Sequence, residues 1–362
     1  MRRGTAIALI LGVAAVIGAV LYAGAGAVAQ AVATLRISGL AALVLLHLPI
    51  VVLMGLAWWL ASGDAPPASQ SRFVWARFVR DAAGELLPSL QLGGVVIGLR
   101  ALGRGRTIIV GAVSASIDGV IELAAKLPYV LAALLTLLTL ASQPRLARLL
   151  SLALAATGVL VGILLLARRS LSAWLQALAR AISARWPGVW SVDGGPGGRD
   201  LEASFDHILS QRGRLRSAFA LHLCCWCLGA AEVWVAFHLL GIDLTVAQAL
   251  AIDGTVVGLR TFGLIVPAAA GVQEASYMLA AAVFGIPPAA AIAASFARRA
   301  RDLVLGVGIL AITAARDPGF ARVTNRLPLG TDAATRTLPD PSLPEPARKL
   351  SQVHESPPPP SA

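Results

Sequence analysis

The sequence predicts an all-α membrane protein that crosses the bilayer many times, and three observations lead there. Of its 362 residues, 57% are hydrophobic, more apolar surface than a water-soluble domain has use for. Apolar runs of about 18 residues or more, long enough to span a bilayer, recur along the chain. Charged residues make up only 14% and are grouped between those runs or at a few points inside them. About eight full transmembrane helices are expected, with two further segments that proline and glycine break and that could re-enter rather than cross.

The first apolar run covers residues 5–27. Its "MRR" start and the "AVAQA" behind it resemble a secretory leader, but the run exceeds the ~7–15 residues of a leader's apolar core. It reads as an uncleaved first helix, with Arg2 and Arg3 holding the N-terminus on the cytoplasmic side. A second span is expected near 38–60, returning the chain to the side where Arg72, Arg77 and Arg80 lie.

Residues 84–99, "GELLPSLQLGGVVIGL", form the first broken segment. Pro88 removes a backbone donor and Gly93-Gly94 weaken a helix further. Such breaks are tolerated in a bilayer only where backbone lines protein or a polar cavity. If the segment re-enters without crossing, the later basic loop falls outside. If it crosses, only Arg100, Arg104 and Arg106 do. Crossing offends the positive-inside rule less and is the expectation.

Further spans are expected near 107–122, 125–142, 148–167, 217–240, 246–266, 268–285 and 290–315. Between the third of these and the fourth, residues 168–216 hold eight arginines against four acids, which marks a cytoplasmic basic loop. Within it Leu171, Trp174, Leu175, Leu178 and Ile182 recur at helical spacing, an interfacial amphipathic helix, and "DGGPGG" at 193–198 is a turn. Residues 1–316 thus read as one membrane domain. Residues 317–362 carry ten of the 21 prolines and can build no core, so they read as a disordered tail.

The second broken segment is "LIVPAAAGVQEAS", where Pro267 is followed by Gly271 and Glu274. A Gly-Leu-Arg triplet stands near each break, in "VIGLRALG" at 96–103 and "VVGLRTFG" at 256–263, offset by 160 residues. The pair is read as the mark of duplicated halves, an inverted repeat around one pathway.

Net charge is +11, nearly all from arginine, and it suits contact with anionic lipid. The arginines are dispersed without interleaved surface aromatics, so no nucleic-acid partner is expected. Cys224, Cys225 and Cys227 lie in an apolar run beside His222. They read as small apolar residues, since no second ligand pair stands at zinc spacing, and neither metal nor cofactor is expected.

Ionisable residues inside spans carry the information, because each costs roughly 2.5–3.5 kcal/mol at a helix centre on insertion scales. Asp118, Glu122, Glu232, Asp253, Arg260, Glu274, Arg298, Arg299, Arg301 and Asp302 fall in this class. Asp118 and Glu122 share a helix face by their i,i+4 spacing. Asp302 can pair with Arg298 or Arg299, leaving a surplus of positive charge for an anionic headgroup. Arg100, Arg104 and Arg106 also read as side chains snorkelling to an interface. The expected lipid pathway is Pro88, Gln91, Gly93, Gly94, Arg100, Asp118, Glu122, Arg260, Pro267, Gly271, Glu274, Arg298, Arg299, Arg301 and Asp302. No nucleotide loop, nucleophile elbow, HExxH or dinucleotide fingerprint occurs, so a transporter without its own ATPase is expected before an enzyme.

The strings "LLPSLQLGG", "GLRALGR", "SIDGVIEL" and the run from Pro267 to Asp302 resemble the hopanoid-biosynthesis-associated HpnL family. That family sits among flippase-like proteins related to the membrane domain of lysylphosphatidylglycerol synthase. The resemblance covers most of residues 1–316 and implies a multi-pass protein of the bacterial inner membrane that handles a polar lipid. Gln91, Asp118, Glu122, Gly271, Glu274, Arg299, Arg301 and Asp302 match the family pattern. Relatives place an acid after the Gly-Gly pair where this chain has Val95, which puts in doubt a mechanism with a carboxylate in both halves. The expected partners are membrane lipids, hopanoids or anionic phospholipids, and hopanoid-synthesis proteins. Three functions stay open at this point: translocation of a polar lipid, headgroup transfer with Glu274 or Asp302 as base, and a scaffold for hopanoid enzymes.

Overall fold

The computed structural model describes residues 14, 16–64, 66, 68–86, 90–103, 106–140, 144–166, 205–261 and 271–316, the side chains of 90–93, 106–110 and 165 excepted. Among them helices are the only regular elements. In chain order they are α1 (Val16–Ala23), α2 (Ala25–Thr34), α3 (Arg36–Leu60), α4 (Gln70–Leu86), α5 (Leu90–Leu102), α6 (Arg106–Leu140), α7 (Pro144–Leu166), α8 (205–210), α9 (Arg212–Leu239), α10 (Val246–Leu259), α11 (Val272–Ala282) and α12 (Pro288–Arg316). Residues 168–204, with the predicted amphipathic helix and turn, and the tail 317–362 lie outside the described residues, as do Pro88, Arg104 and Pro267.

Among the described residues four helices are long and apolar enough to cross a membrane: α3, α6, α7 and α9. The first apolar run is not one straight span. Gly24, at φ 85°, breaks it into α1 and α2 with a 91° bend, and counting that pair raises the number to five. The expected count of about eight is not reached among the described residues, for three reasons. The runs 107–122 and 125–142 belong to one helix of 35 residues, α6, which continues through Pro128. The runs 246–266 and 268–285 yield only α10 and α11, of 14 and 11 residues. At a rise of ~1.5 Å per residue these extend about 21 and 17 Å, short of the roughly 30 Å hydrocarbon core. Finally, α12 has the length, 29 residues, but carries four charged side chains along its middle.

Contacts between helix ends define two faces. On the lower face, where α3 ends, Arg214 Nε donates to Leu60 O (3.2 Å) and its guanidinium lies over Trp59. Nearby, His207 Nε2 stands 2.8 Å from a carboxylate oxygen of Asp64. That hydrogen bond, with one from Gln211, holds the exposed Asp64 carboxyl below its ordinary range. Arg316 at the end of α12 covers Trp75 near the start of α4. On the upper face, Gly39 near the start of α3 meets Leu239 at the end of α9, and Trp234 Nε1 donates to Leu244 O (2.8 Å) before α10 begins.

Helices α4 and α5 form an antiparallel hairpin that rises from the lower face and returns to it. A Cβ on Gly94 would stand 2.5 Å from Arg80 O, and one on Gly98 would stand 2.9 Å from Ala76 O. The two contacts step in opposite directions along the helices, so α4 and α5 run antiparallel. Gly94 thus lies within a helix and permits its packing; it does not interrupt one. The tip reaches only to the middle of α12, where Leu86 packs against Gly306.

The expected crossing of 84–99 is accordingly overturned: the segment comes back to the face it left. The expected side of its described part, α8 and the start of α9, does not change with it, because α6 is a single helix. With one crossing by α6 and one by α7, the chain arrives at α8 and α9 on the lower face, where Arg72, Arg100, Arg212, Arg214, Arg216 and Arg316 are also found.

A second hairpin mirrors the first from the opposite face. Helix α10 descends from the upper face against α6, with Asp253 facing Tyr129 and Gly258 facing Val130 and Leu150. Helix α11 climbs back, and its Tyr277, Ala280 and Ala281 join a core with Phe237, Ile252 and Ala291.

Candidate functional site

The buried charges form two networks, one beside each hairpin. The first joins α4, α6 and α9. Arg77 is only 4% exposed, and its Nε donates to Asp81 one turn away (2.9 Å). Its Nη1 reaches Glu122 at 3.1 Å and Asp118 at 3.5 Å. Arg80 Nη1 is 3.5 Å from Asp118, whose other oxygen is 2.8 Å from Nε2 of the buried His222. The predicted i,i+4 pair Asp118–Glu122 therefore does share a face, and a guanidinium bridges it.

Asp118, Glu122 and His222 bring their ligand atoms within 4.8 Å of one another, a spacing a metal ion could use. The Arg77 guanidinium already stands against both carboxylates as the positive charge. His222 thus points to Asp118, and the cysteines take no part: buried Cys225 directs its thiol to Ile50 O, while Cys224 and Cys227 are exposed.

The second network joins α3, α6, α9, α10, α11 and α12. Arg298 Nη1 bonds Asp253 (2.6 Å) and Tyr277 Oη (3.0 Å), and Tyr129 Oη donates to the other Asp253 oxygen (2.6 Å). Arg301 bonds Glu232 and, through Nε and Nη2, Asp302 at 3.0 and 2.7 Å. Glu232 also holds His47 Nδ1 at 2.8 Å. Arg299 Nε meets Glu274 at 2.5 Å, and Ser295 Oγ donates to the same carboxylate.

Glu274 owes its position to the break that precedes it. Gly271 takes φ 78°, a left-handed conformation open to glycine, and the helix restarts at Val272. The N–H of Gly271, freed by that restart, donates to Glu274 Oε2 at 2.9 Å. The expected interruption at Gly271 is therefore present, and the carboxylate both caps α11 and pairs with α12.

Two pairing expectations are corrected. Asp302 binds Arg301, one residue away, and not Arg298 or Arg299, because those two turn to Asp253 and Glu274. The expected positive surplus is also absent. Three arginines of α12 meet four carboxylates, Glu232, Asp253, Glu274 and Asp302, so the cluster is internally compensated.

The tips of the two hairpins touch. Arg260 Nη2, at the end of α10, stands 3.7 Å from Glu85 Oε1, in the last turn of α4. Lys126 Nζ donates to Thr261 Oγ1 (2.7 Å), fastening the second tip to α6. Glu85, Arg260, Arg299 and Asp302 are each about a quarter to a third exposed, with side-chain values of 33%, 31%, 24% and 23%. They group part-exposed charges of both signs where the two hairpins meet.

The Gly-Leu-Arg copies are not structural equivalents. Arg260 ends the inbound arm of the second hairpin at its tip, whereas Arg100 lies in the last turn of α5, the outbound arm of the first, at its base. The copies sit on opposite arms at opposite depths, so the triplet marks no structural correspondence between them. The backbones of Gln91 and Gly93 belong to α5, and their side-chain surroundings lie outside the described residues.

Several residues of the networks were not singled out from sequence. Arg77 and Arg80 read as cytoplasmic charges, yet α4 carries them into the bundle. The i,i+4 pair Arg77–Asp81 was a usable signal, since a buried arginine needs acids at helical spacing. His47, Glu85, Tyr129 and Tyr277 gave no local sign; only the tertiary fold brings them to their partners.

No curated protein and no solved structure matches the chain. The family model described as "Lysylphosphatidylglycerol synthase TM region" matches residues 9–309. Most of the chain, including both hairpins and both charge networks, is covered by that match, and the chain belongs to this family.

Proposed function

We propose that the chain moves a polar lipid between leaflets, without an ATPase of its own, in bacterial inner-membrane lipid metabolism. Family membership makes it a membrane protein of lipid metabolism or transport. The observation that carries the finer reading is the meeting of two short hairpins, rooted on opposite faces, at Glu85 and Arg260. Broken helices that meet at mid-depth from opposite sides are the architecture of alternating access. A part-exposed ion pair 3.7 Å long contributes little stability, on the order of 0–1 kcal/mol, so it can open at low cost. The part-exposed charges around it are of both signs, which suits a zwitterionic or otherwise polar headgroup better than a bare anion. The resemblance to the hopanoid-associated relatives makes a hopanoid with a polar side chain the substrate to try beside phospholipids. On the positive-inside rule, the arginine-rich lower face is the cytoplasmic one.

The test is lipid transfer in liposomes. Purified full-length protein is reconstituted with headgroup-labelled phosphatidylethanolamine, phosphatidylglycerol or a polar hopanoid, and a membrane-impermeant quencher reads the exposed fraction. Transfer of at least one lipid is expected, slowed about tenfold or more by Glu85→Gln or Arg260→Gln, equivalent to ~1.4 kcal/mol of barrier. No transfer of any of the three by folded protein would sink the translocator reading and leave headgroup transfer or scaffolding.

A further inference from the structure

A second site lies on the far side of α6 from the charge networks. Helices α6, α7, α8 and α9 enclose a recess of about 430 Å³ that opens near the lower face. This falls in the ~300–1,000 Å³ range of small-ligand pockets. Its walls are apolar: Val120 and Ile121 of α6, Leu164 of α7 and Phe219 of α9. Phe205 and Leu209 of α8 close one end. Among the described residues of its lining the charged ones are both arginines, Arg212 and Arg216, exposed and one turn apart on α9, with no carboxylate beside them.

The setting of the two arginines is specific. Arg214, between them in sequence, is committed elsewhere, bonded to Leu60 O and Trp59 O and stacked on Trp59. It anchors the first turn of α9, so Arg212 and Arg216 are held on the recess side. That turn contains no acidic residue, and the side chain of Gln211 makes no cap bond to it. The first backbone N–H groups of a 28-residue helix therefore add positive potential beside the two guanidiniums. An apolar hollow that ends in two adjacent arginines matches one class of molecule, with hydrocarbon at one end and a phosphate at the other. Paired guanidiniums suit phosphate oxygens in particular.

We propose that this recess holds one acyl chain of an anionic phospholipid from the adjacent leaflet, with its phosphate between Arg212 and Arg216. The opposite face of α6 carries Asp118 and Glu122, so this lipid is separate from whatever passes between the hairpins. The inference concerns binding and stands whether or not the chain translocates lipid.

The experiment uses full-length protein, delipidated in mild detergent and supplied with phosphatidylglycerol or phosphatidylcholine. The phosphatidylglycerol is also supplied with a photoreactive diazirine in its acyl chain. Illumination is expected to label Val120, Ile121, Leu164 or Phe219, and native mass spectrometry to show one retained phosphatidylglycerol. Arg212→Gln with Arg216→Gln should lower that retention to the level of phosphatidylcholine, a fall of tenfold or more. Val120→Trp, which fills the recess, should abolish the recess labels. The crosslink map of the unmodified chain decides the matter even if a variant fails to fold. Labels confined to other surfaces would overturn the proposal, as would equal retention of both lipids or occupation of the recess by the chain's own residues 167–204. Displacement of the lipid by millimolar inorganic phosphate alone would show an anion site without an acyl-chain site, and would overturn it too.

Discussion

At the scale of single residues, the partners of Glu274 and Arg301 decide what each substitution does. Glu274 is fully buried, and Arg299 is its cation. Arg299→Ala strands that carboxylate, and losing one partner of a buried pair costs roughly 3–5 kcal/mol. Melting of the detergent-solubilised protein should fall accordingly. Glu274→Gln in the same chain should restore most of the loss, since glutamine can still accept from the Gly271 N–H. Glu274→Gln combined with Arg301→Ala should show no such rescue, because Arg301 answers to Glu232 and Asp302. Equal rescue by Arg301→Ala would contradict the pairing described above. The sequence made Glu274, Arg299 and Arg301 legible as buried charges, since apolar flanks leave them nowhere else to go. It could not assign partners, because three arginines within four positions all lie within a side chain's reach of several acids.

At the scale of elements, close helix approach explains the glycines. Gly94→Ala puts a methyl 2.5 Å from the carbonyl oxygen of Arg80, and backbone in a packed hairpin cannot step aside. The cost should reach the upper part of the ~1–3 kcal/mol range for overpacking, read as a lower melting temperature. Gly306→Ala meets Leu86 Cδ1 at 2.7 Å, the end of a flexible side chain, and should cost clearly less. The reverse order would show that α4 and α5 are not packed as described. Local signals served these elements unevenly. Long uninterrupted apolar runs located α3, α7 and α9 well. Apolar content failed for α4, which is amphipathic and carries Arg77 and Arg80 inward, and for α6, where a charged middle made one helix read as two spans. Gly271 indicated where α11 begins, whereas Gly93 and Gly94 lie inside α5. Whether a broken segment crosses or returns depends on what it packs against, and only tertiary contacts settle that.

At the scale of the whole molecule, sidedness is the testable quantity. With the three native cysteines replaced, single cysteines at Ser69, Ser210 and Asp243 offer exposed positions at helix ends. An impermeant thiol reagent added outside intact cells should treat Ser69→Cys and Ser210→Cys alike, and Asp243→Cys oppositely, with Asp243→Cys the one labelled. Opposite labelling of Ser69→Cys and Ser210→Cys would mean an odd number of crossings between them, against the pair made by α6 and α7. The expected side of α8 and the start of α9 is the same with both the crossing of 84–99 and the splitting of α6 or with neither, because the two changes cancel. A charge rule reports only the parity of crossings, so it cannot see the two together.

Helix α9 supplies His222 to one network and Glu232 to the other, ten residues and about 15 Å apart along its axis. It is therefore a shaft with a cam at each level. A roll of α9 about its own axis would pull on Asp118 and on Arg301 in the same stroke, and neither set of charges can be re-paired by that motion while the other stays at rest. Cut between α7 and α8, the amino-terminal half would lose the histidine of its own network, so neither half carries a complete set of partners.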